Sequence, residues 1–213
     1  MKKILSMVLL GSMALVFAYG ILIGGRWLWY TIRPQPPTTT KELFEGVTYR
    51  REVRSSPRPM IIHIVKIDLR ADGIGTLVTP GNPKEPMPLK AMTTSEFLRK
   101  YDVQVAINGD AFHPWYDRSI FSYYPHSGDP VAVYGFAASR GEIYSQGKGD
   151  EPILYISPTN QASINSKIGK IYNAISGNQL LVKAGEVVPG LDEEPKPRTA
   201  VALSKSGRYL ILF

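Results

Sequence analysis

The chain has 213 residues, no cysteine and a formal net charge of +7 at pH 7. The lack of cysteine excludes a disulfide framework, so an exported domain with this sequence is stabilised by its core alone. The charge does not indicate a nucleic-acid-binding protein. Four basic residues and no acidic residue lie within residues 1–33, which leaves 21 basic residues against 18 acidic ones in the remainder.

The first predicted element is an apolar helix at the N-terminus. No charged residue occurs from Ile4 to Gly25, a run long enough to span a bilayer, which takes about 20 apolar residues. An aromatic belt typical of a membrane interface follows, formed by Trp27, Trp29 and Tyr30. A cleaved secretory signal is the alternative, with a small-residue site at Ala18-Tyr19-Gly20, but the apolar run continues past that site. Residues 1–33 are therefore predicted to be a membrane anchor or a signal peptide, with the rest of the chain outside the cytoplasm.

A short linker and one domain are predicted to follow this segment. Residues 34–40 contain three prolines and three threonines, a composition typical of a stiff polar spacer. Residues 41–213 are predicted to form one domain, because about 170 residues is an ordinary domain length and no second linker interrupts them. The four arginines of residues 49–58 are expected to face solvent or lipid headgroups.

Most of this domain is predicted to be β-strand, because short apolar or alternating runs end at Gly, Pro, Asn or Asp. The predicted strands are 47–53, 60–69, 75–78, 103–107, 131–138, 153–156, 179–182, 199–203 and 209–213. Thr93 and Glu96 form a capping box for one short helix through about Lys100, which is expected to lead into the strand before Asn108. The predicted fold class is α+β, a sheet-dominated mixed α/β domain with short helices, preceded by one N-terminal transmembrane helix or signal. Because the chain ends on an apolar strand, the domain is expected to be incomplete at its C-terminus.

The first candidate site is Asn108-Gly109-Asp110, at the end of an apolar run. Gly109 permits a tight turn that lets its neighbours converge. Asn108 can donate to and accept from a sugar hydroxyl or a phosphate oxygen, and Asp110 can act as acid, base or cation ligand. A plain Asn-Gly turn is the alternative. His113 follows three residues later and is a further candidate for the same site.

The second candidate site is Arg198, which follows an acidic loop of residues 192–194 and leads into a predicted strand. A guanidinium group can hold a phosphate through two parallel hydrogen bonds. A surface ion pair between Arg198 and the loop acids is the alternative.

Metal and aromatic sites receive less support from the sequence. The three histidines are His63, His113 and His126, and their spacing is not that of a zinc site. The loop of residues 112–124 is rich in aromatic residues, which can stack on sugar rings, although packing onto the domain's own sheet is the favoured interpretation. No P-loop, nucleophile elbow or dinucleotide-binding glycine pattern occurs.

The order of four motifs resembles the phosphodiester glycosidase domain family, which includes the mannose 6-phosphate uncovering enzyme. These motifs are His63–Leu69, Ala106–Phe112, Ala174–Gly177 with Leu181, Val182 and Gly185, and Pro197–Ala200. The resemblance covers roughly residues 60–213. It implies hydrolysis of a sugar-1-phosphodiester to free sugar and a phosphomonoester. It also implies that Asn108 and Asp110 lie at the sugar or phosphate and that Arg198 and Thr199 hold the phosphate.

The resemblance also sets the remaining predictions. The predicted catalytic residues are Asp110, Asn108 and Arg198, and the predicted substrate-binding residues are Gly109, His113, Thr199 and Gly177. The implied partners are a phosphosugar glycan or glycolipid and, through the N-terminal helix, a membrane, but no nucleic acid. No firm cofactor is predicted; a divalent cation is compatible with a phosphodiester, yet no diagnostic ligand spacing occurs.

The family commonly has Asn-Gly-Gly-Phe-Phe where this chain has Asn108–Phe112, and it continues into a glycine-rich acidic motif beyond the last strand. The alternative function is a non-catalytic envelope module that binds phosphosugar polymers.

Overall fold

The computed structural model describes residues 2–32, 34–119, 122–192, 194 and 196–213. The chain divides into two compact units, one formed by residues 1–38 and 53–60 and the other by residues 39–52 and 61–213. The boundary predicted between residues 40 and 41 remains a prediction.

The N-terminal helix α1 spans Lys2–Ile32 and contains 31 residues. Within it, the 19-residue stretch Gly11–Trp29 is long and apolar enough to cross a membrane, and none of it is buried in the protein. A signal sequence near the N-terminus can meet the same criteria of length and composition. The helix is therefore compatible with both roles predicted for it.

The remaining elements are mostly short strands. In chain order they are β1 (Thr39–Phe44), β2 (Val47–Arg54), β3 (Met60–Asp68), β4 (Leu89–Lys90), α2 (Thr94–Tyr101), β5 (Phe112–His113), β6 (Tyr116–Ser119), β7 (Ser122–Tyr124), β8 (Pro130–Val133), β9 (Phe136–Ser139), β10 (Glu142–Gln146), β11 (Ile153–Ile156), β12 (Ala162–Ile164), β13 (Asn173–Ser176), β14 (Val182–Lys183), β15 (Glu186–Val187), β16 (Val201–Leu203) and β17 (Tyr209–Leu212). The predicted sheet-dominated α+β class is confirmed.

Two larger sheets are formed by the described residues. The first has the strand order β1-β2-β3-β17-β16, and the second has the order β10-β9-β13-β11-β12. Smaller sheets are β4-β8-β5, β6-β7 and β14-β15. In the second sheet, β13 pairs antiparallel with both β9 and β11, so it lies at the centre. The C-terminal end of β13 brings Ser176 and Gly177 towards the candidate site.

The two larger sheets share a hydrophobic core. Leu154 and Ile156 of β11 are buried together with Leu69 and with Leu210 of β17. On the opposite face of β11, Tyr155 packs in a second cluster with Phe136, Ala138 and Ala174. This alternation follows the two-residue period of a strand and leaves β11 and β13 covered on both faces.

Asn173 is the fully buried polar anchor of the second sheet. Its Nδ2 donates to the Thr76 carbonyl at 2.7 Å, and its Oδ1 accepts from the N–H groups of Val78 at 3.4 Å and Arg140 at 3.3 Å. The predicted strand 75–78 is therefore wrong. Its backbone groups bond to the Asn173 side chain, and Val78 also accepts a bond from Ser139 Oγ, in place of a strand ladder.

Replacing Asn173 by Ala is expected to lower the free energy of unfolding by about 2–4 kcal/mol, because buried backbone groups on two segments lose their partner. Urea unfolding followed by circular dichroism measures this change. The matched control is Asn178→Ala at an exposed position, which we expect to change stability by less than about 0.5 kcal/mol. Equal effects of the two substitutions would contradict the anchoring role of Asn173.

Other sequence predictions differ from the structure at backbone turns. Helix α2 and its capping box are confirmed, but the helix ends with Asp102 in the left-handed conformation and residues 103–107 form no strand. The predicted strand 131–138 is split into β8 and β9, because the N–H of Gly135 bonds to a side chain. The predicted strand 179–182 is reduced to β14, and β1 begins at Thr39, inside the predicted linker.

Candidate active site

Asp110 lies at the centre of a small hydrogen-bonded cluster. Its Oδ2 accepts hydrogen bonds from Ser176 Oγ at 2.6 Å and from the N–H of Gly135 at 2.8 Å, and its Oδ1 accepts from the N–H of Ala111 at 2.7 Å. Ser176 and Gly135 are buried, whereas Asp110 is half-buried. We call Asp110, Gly135 and Ser176 the Asp110 cluster. Three donors orient the carboxylate firmly, and its partial exposure leaves it accessible to a ligand.

The backbone beside Asp110 packs closely against strand β13. A Cβ atom placed on Gly109 would lie 2.7 Å from Cδ1 of Ile175. The motif that contains Asn108 and the motif that contains Ser176 therefore meet in space, 66 residues apart in sequence. The two segments can approach this closely because Gly109 has no side chain.

Asn108 is exposed and is oriented by helix α2. Its Oδ1 accepts a hydrogen bond from Thr94 Oγ1 at 2.8 Å, and Thr94 is the first residue of that helix. With its carbonyl oxygen engaged, the amide nitrogen of Asn108 can donate to a ligand. The helix thus fixes a hydrogen-bond donor two residues from Asp110.

Tyr144 is linked to the Asp110 cluster through its neighbour Ser145, whose Oγ donates to the carbonyl of Gly135 at 2.7 Å. It lies at a bulge in β10, where the register with β9 shifts between Ile143 and Ser145, and bulges redirect side chains. Its ring packs against Gly81, where a Cβ atom would lie 2.6 Å from the ring. Burial, and then the negative charge of Asp110, raise the pKa of Tyr144. The phenol is therefore neutral at physiological pH and can donate a hydrogen bond.

Aromatic and basic side chains form a row that starts from the residue before Gly135. The ring centroids of His113 and Tyr134 are 4.8 Å apart, and Nζ of Lys148 lies 5.8 Å from the centroid of Tyr134. The N–H of Tyr134 donates to the carbonyl of Ala111 at 3.0 Å, so this row is fixed to the backbone next to Asp110. His113, predicted at the substrate, therefore lies near the cluster.

The loop that carries Lys148 is organised by the carboxylate of Glu151. Oε1 accepts from the N–H groups of Phe136 at 2.9 Å and Lys148 at 3.1 Å, and Oε2 accepts from Gly149 at 2.8 Å and Asp150 at 3.2 Å. Hydrogen bonds from its own N–H and from those of Gly149, Phe136 and Lys148 hold the pKa of Glu151 below its ordinary value, although burial opposes this. Glu151 is therefore a structural anion at neutral pH.

Comparison with known proteins identifies the family. Residues 101–213, just over half of the chain, match the family model described as phosphodiester glycosidase. The chain belongs to the phosphodiester glycosidase family. Membership indicates a glycosidase-type hydrolase with a glycan-type substrate. Searches among curated proteins and among solved structures gave no significant match. The matched region includes the Asp110 cluster and Lys148, whereas the motif at His63–Leu69 lies outside it.

No hydrogen bond or ion pair between described residues joins Arg198, the second candidate site, to the Asp110 cluster. Arg198 is exposed, and its Nη2 pairs with Oδ2 of Asp192 at 3.0 Å, as the alternative interpretation proposed. Thr199 is also exposed. Glu193, the second acid of that loop, lies outside the described residues. A phosphate-binding role for Arg198 and Thr199 stays a prediction.

Gly177 follows Ser176 directly, and its N–H donates to the carbonyl of Pro152 at 2.8 Å. It is exposed, and no atom of a non-neighbouring residue lies within 4 Å of a Cβ placed on it. It therefore borders the Asp110 cluster with open space beside it, where a substrate-binding role stays a prediction.

The aromatic loop forms its own hairpin. Strands β6 and β7 pair, with the rings of Tyr116 and Tyr124 stacked at 5.9 Å, and Trp115 is 66% exposed. Phe121 lies outside the described residues.

In the described part of the chain, no group of three or more His, Asp or Glu side chains is arranged to hold a metal ion. His126 instead pairs with Asp129 at 3.2 Å.

An open cavity of about 640 Å³ lies near the turn after β3, lined by residues 69–73, 159–162, 168 and 206–207. None of the predicted site residues lines it. The cavity is lined by no member of the Asp110 cluster. The candidate active site therefore lies outside it.

Sequence reasoning missed the groups that complete the site, namely Gly135, Ser176, Tyr144, Lys148 and Glu151. Two of them had a readable signal. A single glycine inside an apolar strand run marks a close backbone approach, as Gly135 does, and Ser176 stands within the motif quoted for Gly177. Tyr144, Lys148 and Glu151 reach the site through a bulge and a loop, whose geometry no periodicity predicts.

Proposed function

We propose that this protein is a membrane-anchored or exported phosphodiester glycosidase that acts outside the cytoplasm. Its substrate is a sugar-1-phosphodiester in a phosphosugar glycan or glycolipid. Water adds to the anomeric carbon, the bond from that carbon to the phosphate oxygen breaks, and the phosphate takes the proton. The products are the free sugar and a phosphomonoester on the acceptor.

The observation that carries this proposal is the meeting of two family motifs at the Asp110 carboxylate. Glycosyl transfer passes through an oxocarbenium-like centre, which a nearby carboxylate stabilises. Asp110 is oriented by three donors, as an ionised, acceptor-only group requires. We assign it the role of electrostatic stabiliser.

Two further groups suit the same substrate. Asn108, whose amide nitrogen can donate, binds a sugar hydroxyl or a phosphate oxygen in this proposal. Tyr144 is neutral and can donate a hydrogen bond to the oxygen that leaves the anomeric carbon. A divalent cation would assist by neutralising the phosphate, but the proposed steps do not require one.

The test is hydrolysis by the full chain, purified in detergent, in heavy-oxygen water. The substrates are a panel of sugar-1-phosphodiesters whose acceptor is p-nitrophenol. A glycosidase releases sugar and unlabelled p-nitrophenyl phosphate, because water attacks carbon. Phosphorus NMR reports the isotope in the phosphate product. We expect no label there.

Other outcomes have distinct meanings. Heavy oxygen in the phosphate would show attack at phosphorus and would contradict a glycosidase mechanism. Binding of the substrates by calorimetry without any product would instead support the non-catalytic module that binds phosphosugar polymers. Protease protection in sealed cells or vesicles would test the location outside the cytoplasm.

A further inference from the structure

Lys148 carries a positive charge beside the candidate active site. It is exposed, and it forms no ion pair with any described residue. Its Nζ lies 5.8 Å from the ring centroid of Tyr134, the residue directly before Gly135 of the Asp110 cluster. Arg198, in contrast, is neutralised by Asp192. Lys148 is thus a cation without an ion-pair partner among the described residues, and it lies against the ring of the residue that precedes Gly135.

The position of Lys148 is set by backbone geometry. The carboxylate of Glu151 binds the N–H groups of residues 148, 149 and 150, which closes a tight loop around it. The same carboxylate binds the N–H of Phe136, next to Gly135, whose own N–H binds Asp110. Gly147 has a φ of +64°, and a Cβ on it would lie 1.6 Å from Glu151 Oε1. The adjacent N–H groups of Gly135 and Phe136 therefore link the loop to the Asp110 cluster.

Charge balance at the site calls for such a cation. Asp110 and Glu151 already bring two carboxylates to this region, and a phosphodiester adds a further negative charge. Binding of phosphate oxygens beside carboxylates requires positive charge or several N–H donors directed at them. A lysine supplies this as a compact charge on a flexible stem.

We propose that Lys148 binds the phosphate of the substrate and that Glu151 is the positioning residue that holds Lys148 in place. This inference rests on the proposed function, because it concerns the substrate of the same site. The Lys148 side chain reaches the ring of Tyr134, which packs against the ring of His113. Lys148 acts on the phosphate oxygens, and Asp110 acts on the sugar.

The first experiment compares Lys148→Met, which keeps side-chain length and removes the charge, with Lys167→Met at another exposed position. KM is measured with the p-nitrophenyl sugar-1-phosphodiesters, and binding of p-nitrophenyl phosphate is measured by calorimetry. We expect Lys148→Met to raise KM and the Kd of the phosphomonoester by about 10- to 100-fold. Lys148→Arg is expected to recover most of the affinity, and Lys167→Met to leave it unchanged.

The second experiment tests the positioning role with Glu151→Gln and with the double variant Glu151→Gln/Lys148→Met. The amide keeps the shape of Glu151 but removes the charge and turns one end into a donor. We expect Glu151→Gln to weaken phosphate binding, and the double variant to bind no more weakly than Lys148→Met alone. Such non-additivity indicates that Glu151 acts through Lys148. Additive effects on Kd would overturn the positioning role.

The outcomes separate this inference from the proposed function. Hydrolysis with an unchanged KM and Kd in Lys148→Met would overturn the role of Lys148 while the glycosidase function stands. Phosphomonoester binding that depends on Lys148, without any hydrolysis by the unaltered chain, would support Lys148 and overturn the catalytic function. Absence of both binding and hydrolysis in the folded, unaltered chain would overturn both.

Discussion

Replacing Asp110 by Asn is expected to lower kcat for a sugar-1-phosphodiester by about 100- to 1,000-fold, with a small change in KM. The substitution keeps the size of the side chain and removes its negative charge. It also places an amide nitrogen among three donors, from Ser176, Gly135 and Ala111, so that at least one hydrogen bond is lost. The variant no longer stabilises the positive charge that develops at the anomeric carbon, whereas the groups that bind phosphate remain.

The measurement is steady-state release of sugar by the full chain at neutral pH. Asp72→Asn is the matched control, because it makes the same chemical change in an exposed turn. We expect this control to leave kcat unchanged. Equal melting temperatures and circular dichroism spectra would show that the Asp110 variant is folded. A folded Asp110→Asn variant with unaltered kcat would remove Asp110 from the mechanism.

Sequence reasoning succeeded where a short pattern determines a local structure. The capping box of Thr93 and Glu96 gave helix α2, because both hydrogen bonds lie within four residues. The apolar runs gave β3, β11 and β17 with errors of one residue at most. The order of motifs gave the family, because order retains information that spacing within one motif lacks.

It failed where a distant group replaces a backbone partner. The run 75–78 has the composition of a strand, yet Asn173, about 95 residues later, takes its hydrogen bonds. The run 131–138 is interrupted because Asp110 takes the N–H of Gly135. The pairing of Arg198 with Asp192 was foreseen only as an alternative. Each case depends on a contact between segments that are distant in sequence, and a local sequence pattern carries no information about such contacts.

Replacing Gly135 by Ala is the sharpest steric test of the Asp110 cluster. A Cβ atom on Gly135 would lie 1.8 Å from Ser176 Oγ, 2.6 Å from Ser176 Cβ and 2.7 Å from Asp110 Oδ2. The backbone at Gly135 is not left-handed, so an alanine is disfavoured by space and not by conformation. We expect kcat/KM to fall about 100-fold, because a shift near 1 Å misplaces the carboxylate. The free energy of unfolding is expected to fall by about 1–3 kcal/mol.

The matched control is Gly75→Ala, since no atom lies within 4 Å of a Cβ at that position and its φ is not positive. We expect this control to leave kcat/KM unchanged and stability equal or slightly higher. Kinetics with the sugar-1-phosphodiester and urea unfolding measure the two effects. Equal behaviour of the two alanine variants would contradict the close packing of the Asp110 cluster.

A second substitution separates steric displacement from general damage to the sheet. Ser176→Gly removes both serine atoms that the new methyl group would strike, but it also removes one hydrogen bond to Asp110. If the clash causes the loss of stability, the double variant Gly135→Ala/Ser176→Gly is destabilised by less than the sum of the single variants. Strict additivity would mean that Gly135 acts through another part of the sheet. The sign of this coupling therefore decides whether Gly135 is needed for the packing of Ser176 beside Asp110 or for the strand alone.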